Sequence, residues 1–194
     1  MVKAILISIN PKWVKKILNG EKTIEIRKIM PKCDLPIDVY IYCTKQDSLM
    51  KLSNFRKDKY ICGKEYDITD FVWLNSDYEG KGKVVAKFTL NKVEEIEYVS
   101  SMACFDLYYG KKGMKEEKIL SKSCLSFDEL YDYLRHKNGY AWHIDNLVIF
   151  DKPKELGEFH KSSWAEVRYK TMREEKAKQY RLTRAPQSWC FVEL

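Results

Sequence analysis

The sequence predicts an α+β fold, and three observations point there. Runs of period-two alternation mark strands near the start, in the middle and at the end of the chain. Two short stretches carry helix start signals, Asn10-Pro11 and Ser126-Phe127-Asp128-Glu129. Long mixed stretches, at about 45–82 and 98–124, interrupt the regular segments and read as insertions.

The elements follow in order. Lys3 to Ile9 (K-A-I-L-I-S-I) reads as a buried strand. Asn10 is a good N-cap, because its side-chain oxygen accepts from the free N–H groups of the first turn. Pro11 fits the first helical position, where the N–H it lacks has no partner anyway. Trp13, Val14, Ile17 and Leu18 fall on one helix face, and Lys12, Lys15, Lys16 and Asn19 on the other. Gly20 follows as the left-handed stop. Thr23, Glu25 and Arg27 then alternate with Ile24 and Ile26, which predicts a half-buried strand with three polar groups on one side.

Met30-Pro31-Lys32 breaks that strand, and Ile37 to Thr44 forms a third. The stretch 45–82 holds Phe55, Tyr60, Tyr66, Phe71, Trp73 and Tyr78 among many charges, so it is expected to pack its own aromatics. Lys83 to Val93 is a fourth strand. Within the irregular stretch 98–124, Tyr108 to Gly113 reads as an exposed loop. A capping box at Ser126 and Glu129, with Leu125 and Leu130 placed as a hydrophobic staple, starts a helix that runs to Gly139. Tyr140 to Phe150 is a fifth strand, bulged at Asp145-Asn146, where the alternation slips by one. About Ser163 to Arg181 reads as a helix, and Ser188 to Glu193 as a closing strand.

With 194 residues and 45% apolar content, the chain suffices for one domain with a sizeable core, or a small domain with insertions. The net charge is +7, from 35 basic and 28 acidic residues. A mild basic excess permits an anionic partner without requiring one. Much of it lies in a basic helical segment at about 160–184, with eight basic residues against three acidic ones. That segment reads either as a solvated surface helix or as a nucleic-acid contact. The six cysteines show no C-x-x-C and no zinc spacing with histidine, so they read as small core residues in a reducing compartment. No signal peptide and no run of membrane-spanning length is seen, which predicts a soluble, cytoplasmic protein.

The chemistry concentrates at the turn and strand after Gly20. Lys22 sits in the turn, while Glu25 and Arg27, two apart on a strand, are same-side neighbours that can pair. A held carboxylate, a fixed guanidinium fork and an ammonium suit an anion or the polar edge of a base. The alternative is that these three side chains only solvate a strand face. His143, between Trp142 and Ile144, reads as a partly buried, hydrogen-bonded histidine. Trp13, Trp142 and Trp189 border predicted elements, and each offers either core bulk or a flat face for stacking a base. Gln187, in a polar approach to the last strand, either reaches a base edge or caps a turn.

Gly20-x-Lys22-x-x-Glu25-x-Arg27 resembles the G-x-K-x-x-E-x-R signature of ASCH domains, the activating-signal-cointegrator homology family of the PUA-like superfamily. Ser8-Ile9-Asn10-Pro11-Lys12-Trp13 is similar to that family's strand-into-helix segment, with Lys12 inserted between the proline and the tryptophan. Gly82 to Phe88, Tyr140 to Ile144 and Phe150 to Pro153 resemble a middle strand, a later strand and its exit.

The resemblance implies a PUA-like mixed β-barrel of five or six strands with two or three helices, built as a single domain over residues 1–194 with the insertions named above. It also implies nucleic-acid association, with RNA or a modified nucleotide as the partner. Lys22, Glu25, Arg27, Trp13, Trp142, Gln187 and Trp189 are the binding candidates. The alternative it implies is a metal-independent amidohydrolase acting on an acylated cytidine, or a ribonuclease, with Lys22 and Glu25 as the catalytic pair. The acetylcytidine hydrolases of the family carry a threonine where this chain has Glu25, which favours binding. No metal, no cofactor, no membrane and no obligate protein partner is expected.

Overall fold

The computed structural model describes residues 3–45, 80–100, 107–110, 116–161 and 181–193. In chain order its elements are β1 (Lys3–Ile9), α1 (Pro11–Leu18), β2 (Ile24–Arg27), β3 (Ile37–Cys43), β4 (Val84–Leu90), β5 (Val93–Ser100), β6 (Leu107–Gly110), α2 (Glu116–Ser123), α3 (Phe127–Leu134), β7 (Gly139–His143), β8 (Asp145–Lys154), β9 (His160–Lys161) and β10 (Trp189–Glu193). A 3-10 turn at Leu156–Glu158 lies between β8 and β9. The fold class is α+β, as expected.

The chain divides into two compact units, both discontinuous in sequence. The first comprises Met1–Lys15, Val39–Lys87 and Ile149–Leu194, and the second Lys16–Asp38 and Phe88–Val148.

The first unit is built on a six-stranded sheet in the order β8-β4-β3-β1-β10-β9. β1 lies parallel to β3, from Ile5 opposite Val39 to Ile9 opposite Cys43. It lies antiparallel to β10, from Lys3 opposite Glu193 to Ile7 opposite Trp189. Flanked on both edges, β1 buries every residue from Ala4 to Ile9, which is why its sequence reads as an unbroken apolar run rather than an alternation. Ala4, Leu6, Tyr40, Tyr42, Val84, Phe159, Leu182 and Val192 form one core cluster. Tyr40 meets Phe159 edge to face, with ring centroids 5.1 Å apart.

The second unit carries the four-stranded sheet β2-β7-β5-β6 and the helices α2 and α3. One face is apolar. Ile24, Ile26, Ile96 and Ala141 pack with Ile119 of α2 and with Leu130 and Leu134 of α3. The capping box forms as predicted: Ser126 Oγ accepts from the Glu129 N–H at 3.2 Å, and Glu129 Oε2 accepts from the Ser126 N–H at 3.0 Å. The α3 helix stops earlier than Gly139, at Arg135, which turns left-handed at φ 50°. Gly139 instead opens β7, where a Cβ would come within 2.7 Å of Leu134 Cδ2. Its missing side chain lets Leu134 seat in the core.

Other differences have local causes. The predicted fourth strand divides at Asn91-Lys92 into β4 and β5. The predicted fifth strand divides at Ile144 into β7 and β8, which belong to different sheets. The slip in alternation read as a bulge is therefore a change of sheet, with Asn146 left-handed at φ 48°. Leu107–Gly110, read as loop from Tyr108 onward, pairs with β5. The α2 helix was not expected, because E-E-K-I-L-S-K-S offers only Ile119 and Leu120 to an apolar face. The predicted helix at 163–181 lies outside the described residues except Arg181, which bridges to His160, and so does most of the stretch 45–82.

Candidate functional site

Position on the chain creates the site. Asn10 Oδ1 accepts from the Lys12 N–H at 3.0 Å and starts α1, as its sequence predicts. Gly20 ends the helix region at φ 76°. The Lys22 N–H reaches back to the Lys16 carbonyl at 3.0 Å, and the Thr23 N–H to the Lys122 carbonyl at 2.9 Å. These bonds fix the turn from which β2 starts.

All four residues of β2 are buried, so the expectation of a half-buried strand is corrected. Ile24 and Ile26 enter the apolar cluster. Glu25 and Arg27 therefore point to the opposite face, where the register sets them against Trp142 and Tyr140 of β7. Lys22 Nζ lies 3.3 Å from Glu25 Oε2, and Arg27 Nη2 lies 3.0 Å from Glu25 Oε1. Lys22 Nζ also donates to the Ser123 carbonyl at 2.7 Å. The Lys22, Glu25 and Arg27 side chains are 2%, 9% and 8% exposed.

The alternative that these side chains only solvate a strand face is therefore corrected: all three are buried. Two cations share one carboxylate, out of water. Burial pushes the Lys22 ammonium below its ordinary pKa. Glu25 opposes that shift, a smaller opposing effect comes from Cys124, and Arg27 adds to the lowering. Burial raises the Tyr133 hydroxyl, whereas the neighbouring Arg27 guanidinium works against the rise.

The other expected site residues divide between the units. Trp142 is fully buried, so it serves as core bulk and presents no stacking face. Trp13, Gln187 and Trp189 belong to the first unit. Trp13 is half-buried, with the Lys12 ammonium 4.5 Å from its ring centroid. Trp189 is half-buried and meets Phe191 edge to face at 5.5 Å. Gln187 is exposed, in an approach to β10 held by Ser8, whose Oγ donates to the Pro186 carbonyl at 2.7 Å.

One further network was only partly legible. His143 Nε2 lies 2.7 Å from Glu94 Oε2, and Lys92 Nζ lies 2.7 Å from Glu94 Oε1. Burial raises the Glu94 carboxyl, but the hydrogen bonds from Lys92 and His143 outweigh it and hold the group below its ordinary value. His143 is therefore the hydrogen-bonded histidine its sequence suggests. Among the described residues no group of three or more His, Cys, Asp or Glu side chains is placed to hold a metal. No helix among them is long and apolar enough to cross a membrane.

No family model and no curated protein matches the chain. Solved structures do. An ASCH protein from Zymomonas mobilis is similar over 98% of this chain and 87% of its own, with a TM-score of 0.52 at 16% identity. Two single-substitution variants of that protein align with TM-scores of 0.51 at 15% identity, over 98% of this chain and 90% and 88% of theirs. At this identity the likeness speaks for the fold, and the G-x-K-x-x-E-x-R signature falls on the turn and strand that gather the buried charges. The chain has the fold of these ASCH-domain structures.

Proposed function

We propose that the chain binds RNA or a modified nucleotide, and that Lys22, Glu25 and Arg27 form its recognition centre. One observation carries this reading. Two cationic side chains and one carboxylate are withdrawn from solvent together, within 3.3 Å of one another along the chain of contacts. Burying ions costs several kcal/mol each before pairing, so such a cluster is a poor device for stability. An ammonium and a guanidinium held together suit a phosphate or the acceptor edge of a base. The contact with Glu25 sets the orientation of the Arg27 guanidinium before any ligand arrives.

The enzyme alternative has its own support, the lowered pKa of Lys22. Burial favours the form of Lys22 that has given up its proton. A neutral amine then takes a proton from water as the water oxygen bonds to the acyl carbon of an acylated cytidine. The acyl C–N bond breaks, the cytidine nitrogen receives a proton, and a carboxylic acid leaves. Glu25 holds the lysine in place.

Incubation with acetylated cytidine, followed by chromatography, separates the two readings. The binding reading expects no cytidine and a measurable affinity for RNA or nucleotide that Arg27→Met weakens. Release of cytidine that survives a chelator and is lost in Lys22→Met establishes the enzyme instead.

A further inference from the structure

We propose that the loop at 28–32, directly after Arg27, is a second contact surface for nucleic acid, in which Ile29 and Met30 pack on an unpaired base and Lys28 and Lys32 meet its phosphates. This rests on the reading that the chain engages a nucleic acid, but not on the charged centre.

The motive is an apolar pair left in water. Ile29 is 64% exposed and Met30 is 42% exposed. Ile and Met are among the residues most often withdrawn from solvent. The two are consecutive, on a bend that follows β2, so the exposure is concentrated at one place. Ile29 is stiff at its branched carbon, whereas Met30 adapts its shape to what it meets.

The loop is held at both ends. Arg27, before it, is buried and meets Glu25 at 3.0 Å. Pro31, after the pair, is buried as well. Its ring fixes its own φ and restricts Met30 to extended backbone. Lys28 Nζ lies 4.9 Å from the centroid of the Tyr133 ring on α3. The apolar pair is therefore presented on an anchored stretch, and little ordering is left to do on binding.

The surroundings select the partner. Lys28 and Lys32 are exposed on either side of the pair, and Asp34 is the one opposing charge as far as Pro36. Two side chains fall far short of the roughly 800 Å² per partner that a stable protein interface covers. They do suit one base, whose faces are flat and apolar and whose neighbouring phosphates attract lysine. Ile and Met are among the side chains that insert where a base stack is opened. A base inside a duplex has both faces covered, so the favoured ligand is single-stranded. Arg27 immediately precedes the loop, so one strand engages the loop and the charged centre together.

The test uses Ile29→Ser and Met30→Ser, both at exposed positions, with Tm as the check on folding. Fluorescence anisotropy is measured with a labelled ten-residue oligouridylate and with an abasic oligomer of equal length. Each substitution should lower affinity for oligouridylate about 3- to 30-fold, the worth of a partly buried apolar side chain. Neither should affect the abasic oligomer. The salt dependence should stay as it is, because no charge is removed. Lys32→Gln should instead weaken both oligomers alike and flatten the salt dependence. Equal affinity of wild type and both serine variants for oligouridylate overturns the proposal. So does a wild-type protein that binds neither oligomer, or a loss that is the same for both. Serine variants that break up a dimer in sedimentation, yet bind oligouridylate normally, assign the pair to a contact between copies instead. Arg27→Met keeps the two surfaces apart. If it leaves oligouridylate binding intact while Ile29→Ser weakens it, the charged-centre reading fails and the loop contact stands. The reverse pattern removes the loop contact and keeps the charged centre.

Discussion

Lys22 Nζ and Glu25 Oε2 stand 3.3 Å apart, with side chains only 2% and 9% exposed. Glu25 also meets Arg27 at 3.0 Å, so one carboxylate contacts two cations. That asymmetry ranks the consequences of removing each member.

Glu25→Gln takes from two buried cations the carboxylate they share, and it should cost about 3–5 kcal/mol of stability. Lys22→Met keeps the Glu25–Arg27 pair and should cost less. Urea denaturation of the two variants checks the ranking. Equal losses mean the three charges do not act as one group.

The lowered pKa of Lys22 fixes a dependence on pH. The ordinary value is 10.5 and the folded value lies below it. Between the two, the unfolded chain holds a proton that the folded chain has lost. Stability therefore rises with pH across that window, and the change is complete above 10.5. Lys22→Met abolishes this contribution, while the tyrosines and cysteines titrate alike in both proteins. As pH rises toward 10.5, denaturation midpoints should shift in favour of wild type. A difference between the two proteins that stays constant over that range contradicts the lowered value.

The capping box gives a smaller effect. Ser126→Ala removes the acceptor for the Glu129 N–H and should cost about 1 kcal/mol. In a domain of this size, that is about 2–4 °C in Tm. Nucleotide binding should be unchanged. An unchanged Tm would show that tertiary packing, through Leu130 and Leu134, holds α3 without its cap.

Much of this was legible in the sequence where local chemistry decides. Asn10-Pro11, Gly20 and Ser126-x-x-Glu129 specify their ends of helices without help from the rest of the chain. The signature also placed Lys22, Glu25 and Arg27 together correctly. Their burial was not legible, because alternation tells which residues share a face and not what covers it. Trp142 was misjudged for the same reason. The division of Tyr140 to Phe150 between two sheets was visible only as a slip in period, which a bulge explains equally well. The α2 helix carries too little apolar signal to be seen before Ile119 finds its partners.

The most direct test of the charged centre compares Arg27→Met with Lys152→Ala in filter binding of single-stranded RNA at two salt concentrations. Lys152 is exposed, and Arg27 is buried beside Glu25. Arg27→Met should lower affinity about 5- to 150-fold at both salt concentrations, because it removes a preorganised guanidinium worth about 1–3 kcal/mol. Lys152→Ala should change little beyond a share of the salt dependence. Equal effects of the two substitutions, or full affinity in Arg27→Met, would contradict the assignment of recognition to Lys22, Glu25 and Arg27.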